Sequence, residues 1–181
     1  MTYTSNTDTK QATIEWLENH DTSGFEFVTL LMKQSARREC PDGVVRVDVL
    51  DEIKASRCFR EFHNRLSRKV LQSDYRVRNR KLCVVPFLEN KNGNFHYHLG
   101  IENPYEGEIG RAKFISYIQS NWRKCPFAFA DRYNTETGMY EVRSVVAVPT
   151  YDNRWIGYSQ KNQCRNWNDL DINNLYLGKQ D

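Results

Sequence analysis

The apolar residues fall partly in short continuous runs and partly in sets with helical spacing. Phe25 to Met32 is almost continuously apolar, which predicts a strand buried on both faces. Gln34 to Val49 is polar and broken by Pro41-Asp42-Gly43, so it reads as a loop with a short edge strand at Val44–Val47. From Asp51 to Gln72, Phe59, Phe62, Leu66 and Val70 recur at helical spacing, with Asp48 or Asp51 as cap. Two apolar runs, 81–89 and 94–101, flank Asn92-Gly93 and predict a hairpin. Ile109 to Trp122 has helical spacing, with Phe114, Ile115, Ile118 and Trp122 facing inward. A strand Phe127–Ala130, a turn Asn134–Gly138 and a last strand Glu141–Val148 follow. After Pro149, Asp152 is placed to cap a helix through Trp155, Tyr158 and Lys161.

This order of strands and helices predicts an α+β fold: a ferredoxin-like split βαβ sandwich, a central antiparallel sheet with both helices on one face. The chain divides into a polar extension 1–24, a body 25–165 and a tail 166–181. Ile14, Trp16 and Leu17 form an amphipathic turn in the extension. Leu170, Ile172, Leu175, Tyr176 and Leu177 offer docking residues in the tail.

The hairpin carries the first chemistry. With Asn92 and Gly93 as the two turn residues, Glu89 stands opposite His96 and Phe87 opposite His98. Strand side chains alternate, so His96 and His98 share one face and Tyr97 takes the other. The expected product is a cluster of two imidazoles and one carboxylate. A His pair on a strand is often merely structural. A two-His, one-carboxylate set without thiolate suits Mn²⁺ or Mg²⁺, and its imidazoles also accept Zn²⁺.

Composition narrows the setting. With 39% hydrophobic and 13% aromatic residues among 181, the chain has enough apolar material for one core. Five cysteines (Cys40, Cys58, Cys83, Cys125 and Cys164) are odd in number and contain no CxxC pair. That argues against a disulfide framework or structural zinc and predicts a reducing, cytoplasmic setting. No apolar leader and no membrane-length run is visible, so no membrane partner is expected. The net charge of +3 is uninformative, but its distribution is not. Arg57, Arg60, Arg65, Arg68, Lys69, Arg76, Arg78, Arg80 and Lys81 crowd the first helix and the loop after it. Such a run is either a solvated face or a surface that tracks nucleic-acid phosphates.

Tyr158 and Lys161 stand one helical turn apart and so share a face. A single helix tyrosine usually packs. As a nucleophile, a phenol needs its developing anion stabilised, which a neighbouring ammonium and a metal both provide. Together, Phe27-Val28-Thr29-Leu30-Leu31, His96-Tyr97-His98 and Tyr158-Ser159-Gln160-Lys161 resemble, in order and spacing, the HUH endonucleases. The likeness is to the single-tyrosine type of rolling-circle replication initiator and covers residues 25–161.

That resemblance implies that His96, His98 and Glu89 bind Mn²⁺ or Mg²⁺. It implies that Tyr158 attacks a scissile phosphate of single-stranded DNA, with Lys161 assisting. The product is a 5′-phosphotyrosyl adduct and a free 3′-hydroxyl, which can religate. Tyr151 is a candidate second tyrosine. No Walker-type loop is present, so this is expected to be either a nuclease domain separated from its helicase or a protein that relies on a host helicase and polymerase. The competing expectations are a transposase or relaxase of the same superfamily, and a non-catalytic module that binds single-stranded nucleic acid.

Overall fold

In the computed structural model, the described residues are 22–91, 93–129, 131–135, 138–142, 144–148 and 170–178, with 12, 13, 15, 16 and 19 of the N-terminal segment. The fold is mixed α+β. Eight strands are described: β1 (Phe25–Leu31), β2 (Ser35–Glu39), β3 (Val45–Val49), β4 (Val84–Lys91), β5 (Asn94–Glu102), β6 (Arg132–Asn134), β7 (Met139–Val142) and β8 (Val145–Val148). The helices whose bounds fall within the described residues are α1 (Glu52–Leu71), α2 (Ser73–Arg78) and α3 (Gly107–Trp122). A central sheet runs β4-β5-β1-β8 with antiparallel neighbours throughout, while β2-β3 and β6-β7 form separate ribbons.

α1 starts at Asp51, whose carboxylate accepts from the Lys54 amide at 2.8 Å. Phe59, Phe62 and Leu66 on α1 and Phe114, Ile118 and Trp122 on α3 are fully buried against Val28, Leu30, Tyr97, Leu99 and Ile101 of the sheet. The near-continuous apolar run of β1 follows from covering on both sides. Its second face belongs to a smaller cluster, where Phe25 and Phe27 pack with Val85, Phe87 and Leu170. Trp16 meets Phe25 edge-on in that cluster, while Ile14 and Leu17 lie outside the described residues. The tail docks as its apolar residues predict: Tyr176 bridges Val84 and Leu170 bridges Phe87, which covers the outer edge of β4.

Three predicted elements need correction. Residues 35–49 form a two-stranded ribbon, exposed almost throughout: the expected edge strand extends to Val49 as β3, and the stretch read as loop supplies its partner β2, whose Ser-Ala-Arg-Arg-Glu sequence carries no apolar alternation to mark it. Of the predicted strand Phe127–Ala130, the described residues 127–129 do not form one: Ala128 makes a single bridge to Met32, and Phe127 and Ala128 are buried in an irregular turn; Ala130 lies outside the described residues. The last predicted strand divides at Ser144, whose amide donates to Asp131 Oδ1 at 2.6 Å; β7 pairs with β6, and only β8 joins the central sheet. The predicted helix bearing Tyr158 and Lys161 lies outside the described residues.

Candidate metal centre

The β4-β5 turn sets the register. Lys91 pairs with Asn94, leaving two residues between them; Gly93 takes φ 79°, and Asn92 lies outside the described residues. Glu89 therefore faces His96, and Phe87 faces His98, as the turn predicts. On its other side, β5 sets His98 against Thr29 of β1. The alternation sends Phe95, Tyr97 and Leu99 to the helices and both histidines to the opposite face. Tyr97 is fully buried with its ring 4.5 Å from Phe59, and its hydroxyl donates to Asp171 at 2.7 Å. Burial, reinforced by Asp171, drives its phenol pKa strongly up, so Tyr97 is a structural group.

Glu89, His96 and His98 form a compact group, the only one of three His, Cys, Asp or Glu ligand atoms within 4.8 Å of one another among the described residues. One carboxylate oxygen, Oε2 of Glu89, lies 2.9 Å from His96 Nε2 and 3.2 Å from His98 Nε2. The imidazole rings are nearly perpendicular, at 85°, with centroids 4.8 Å apart. Each ring is held from behind. His96 Nδ1 lies 3.1 Å from the Asn94 carbonyl, and His98 Nδ1 lies 2.9 Å from Thr29 Oγ1.

Those partners decide the protons. A carbonyl only accepts, so His96 carries a hydrogen on Nδ1. In the neutral ring, Nε2 then aims a lone pair at an anionic oxygen that is also an acceptor. A proton or a cation between them resolves that repulsion. The spacing fits a cation: ligands about 2.1 Å from a metal and at right angles lie about 3.0 Å apart. Burial lowers the His98 pKa and the His96 ring lowers it further, against an opposing pull from Glu89. The set is thus a group of three ligand atoms, two of them on oriented imidazoles, that could hold a metal ion.

Gly100 continues the ligand face of β5 beyond His98. A Cβ there would sit 2.8 Å from Cε1 of Phe27, so glycine lets the Phe27 ring lie against the strand. Thr29 was not singled out as a functional residue by sequence. Its signal was a hydroxyl inside a largely buried strand whose one other polar residue is Glu26.

The nine predicted phosphate-binding residues do not gather at this centre. They sit on α1, α2 and the loop that follows, with the helices on the other side of the sheet. Arg57 and Arg60 line a cavity of about 680 Å³ with Asn90, Phe95 and Asp171, and Arg60 donates to Asn174 at 3.3 Å. Arg65 turns inward, to Cys125 Sγ at 2.9 Å and the Asn121 carbonyl at 3.3 Å. Arg68, Lys69 and Arg76 line a cleft of about 740 Å³ together with Lys124, which the sequence reading did not include. Arg80 pairs with Glu102 at 2.8 Å, and Arg78 approaches Asp74 at 4.0 Å. Lys81 is half-buried. Tyr151, Tyr158 and Lys161 lie outside the described residues.

Cys40, Cys58, Cys83 and Cys125 are free thiols. Among the described residues, no helix is long and apolar enough to cross a membrane. No protein-family model, no curated protein and no solved structure matches the chain.

Proposed function

We propose that this chain nicks and rejoins single-stranded DNA in a metal-dependent reaction through Tyr158, as an initiator of rolling-circle replication. One observation carries the reading: a single Glu89 oxygen is shared by the Nε2 atoms of His96 and His98 at cis-ligand spacing. The sheet order β4-β5-β1-β8, with α1 and α3 packed on one face, is consistent with the ferredoxin-like arrangement expected of such an enzyme. Val148 and Leu170 tie the chain to the sheet on either side of the stretch holding Tyr158 and Lys161.

A bound Mn²⁺ or Mg²⁺ would polarise a phosphoryl oxygen as a Lewis acid. His96, His98 and Glu89 would hold it, with Thr29 and the Asn94 carbonyl fixing the rings. The Tyr158 phenol oxygen would bond to phosphorus as the bond to the 3′-oxygen breaks. The phenolic proton ends on the departing 3′-oxygen by way of solvent or Lys161. Lys161 would offset charge on the tyrosine oxygen or the phosphate. The reverse attack by the 3′-hydroxyl rejoins the strand without an outside energy source. Arg57, Arg60, Arg68, Lys69 and Arg76 would track phosphates, and a host helicase and polymerase would supply unwinding and synthesis. The same chemistry would serve a transposase or relaxase.

A purely binding module is less well supported. Phe25, Phe27 and Phe87, the sheet aromatics on the metal face, are buried and so not free to stack on bases. Incubation with labelled single-stranded hairpin oligonucleotides and Mn²⁺ tests the proposal. The expected result is a covalent protein–DNA adduct, lost with EDTA, with His96→Ala and with Tyr158→Phe. Adduct persisting in Tyr158→Phe would remove that residue as nucleophile. Tight binding without adduct under any metal would favour the binding module.

A further inference from the structure

The β2-β3 ribbon leaves a structural demand unmet. Val45, Val47 and Val49 are 52%, 58% and 64% exposed, and Val44 beside them 51%, although all are apolar. Cross-strand partners share a face, so the three valines line one face with Ser35, Arg37 and Glu39. The other face carries Ala36, Arg38, Arg46 and Asp48, of which Ala36 alone packs against the core. Arg38 lies directly opposite Arg46, a like-charge pair that destabilises an exposed ribbon. Neither Arg46 nor Asp48 has an ion-pair partner among the described residues.

The outer edge of β3 is also open. The Cys40 amide donates to the Val44 carbonyl, and the Leu50 amide to the Gln34 carbonyl, both at 2.9 Å. Hydrogen-bonded pairs recur at every second residue of an antiparallel ladder, so Arg46 and Asp48 direct their backbone groups at β2. Val45, Val47 and Val49 direct theirs outward. The Val49 carbonyl accordingly accepts from the Lys54 ammonium. Among the described residues nothing pairs with Val45 and Val47 on that side, which leaves a strand edge of the kind that invites another strand.

We infer that this edge is a self-complementary interface through which two copies of the chain join β3 to β3 about a two-fold axis. Val45-Arg46-Val47-Asp48-Val49 is a charge palindrome. In antiparallel pairing centred on Val47, each Arg46 meets the partner copy's Asp48, each Val45 meets a Val49, and Val47 meets itself. The outward backbone groups of the odd-numbered residues then face one another, as the ladder requires. Sliding one strand by two residues to either side, the smallest step that keeps the outward backbone groups facing each other, sets Arg46 against Arg46 or Asp48 against Asp48. One register therefore satisfies the charges and the hydrogen bonds together, as an isologous contact demands. Asp48 of the second copy also offsets the Arg38–Arg46 repulsion. The product is a four-stranded sheet whose two valine stripes run side by side on one face.

The test is charge exchange, read by sedimentation of the full chain at tens of micromolar without DNA. The expected mass is twice 21.4 kDa. Arg46→Asp sets Asp against Asp and is expected to give monomer. Arg46→Asp with Asp48→Arg restores the complement and is expected to return the dimer. These positions are exposed, so unchanged circular dichroism is expected and confirms that the variants fold. Val47→Cys is expected to cross-link to itself on mild oxidation beyond the level of the unaltered chain. Facing Cα atoms in a hydrogen-bonded pair lie within disulfide reach, whereas Val45→Cys, opposed by Val49, is not expected to link. A monomeric unaltered chain, a dimer indifferent to Arg46→Asp, or failure of the exchanged variant to recover would each overturn the interface.

Discussion

Thr29 and His98 come from different strands, β1 and β5, and meet with Oγ1 2.9 Å from Nδ1. The contact orients the ring whose Nε2 faces Glu89. Partners that fix a ligating imidazole typically contribute about 10- to 100-fold to metal affinity. Thr29→Val keeps the strand shape and removes the hydroxyl. Mn²⁺ affinity, read by calorimetric titration, is expected to fall at least about 10-fold. Unchanged affinity would make the contact incidental.

Glu89 binds both histidines through one oxygen, so its removal should erase the site rather than weaken one contact. A cation that binds only the folded chain stabilises it by about 2.7 kcal/mol at 100 times its Kd. Saturating Mn²⁺ is therefore expected to raise the thermal midpoint of the unaltered chain, and not that of Glu89→Ala. An equal rise in both would place the ion elsewhere.

His63 gives a pH dependence away from the metal. It is buried on α1, with Nε2 2.9 Å from the Leu82 carbonyl, and burial lowers its pKa from 6.5 to about 4. Between those values the unfolded chain takes up the proton and the folded chain does not. The stability linked to neutral His63 is thus full above pH 6.5 and drains as pH falls toward 4. The total is about 3 kcal/mol at 1.36 kcal/mol per pH unit. Urea midpoints of the unaltered chain should fall more steeply over this window than those of His63→Gln. Parallel curves would contradict the assignment.

The Tyr97 hydroxyl joins the hairpin to the tail by donating to Asp171 Oδ2, which also accepts from Asn174 Nδ2 at 2.6 Å. Tyr97→Phe keeps the ring against Phe59 and removes the donor. A loss of about 1 to 2 kcal/mol is expected. Hydrogen exchange should show earlier opening of residues 170–178, while Mn²⁺ affinity stays unchanged. A large affinity loss would mean that the tail also shapes the metal centre.

Much of the candidate site was readable without coordinates. Glu89 opposite His96 follows from a two-residue Asn-Gly turn, and the shared face of His96 and His98 follows from strand alternation. Both are local rules acting over a few residues. The long helices were legible for a similar reason: Phe59, Phe62 and Leu66, and Phe114, Ile118 and Trp122, each repeat at the period of a buried helix face. β3 was partly legible from its Val45, Val47 and Val49 alternation, but β2 was not, because Ser35-Ala36-Arg37-Arg38-Glu39 has no apolar face to repeat.

By itself, then, the sequence determined which residues share a strand, a turn and a face, because these depend on backbone geometry between near neighbours. Only the tertiary structure decided which strand lies beside β5 and brings Thr29 behind His98. It alone turned Arg65 inward onto Cys125, and it alone set the unpaired edge of β3 facing outward. Those outcomes depend on which distant segments exclude water together, and long-range packing of that kind leaves no period along the chain.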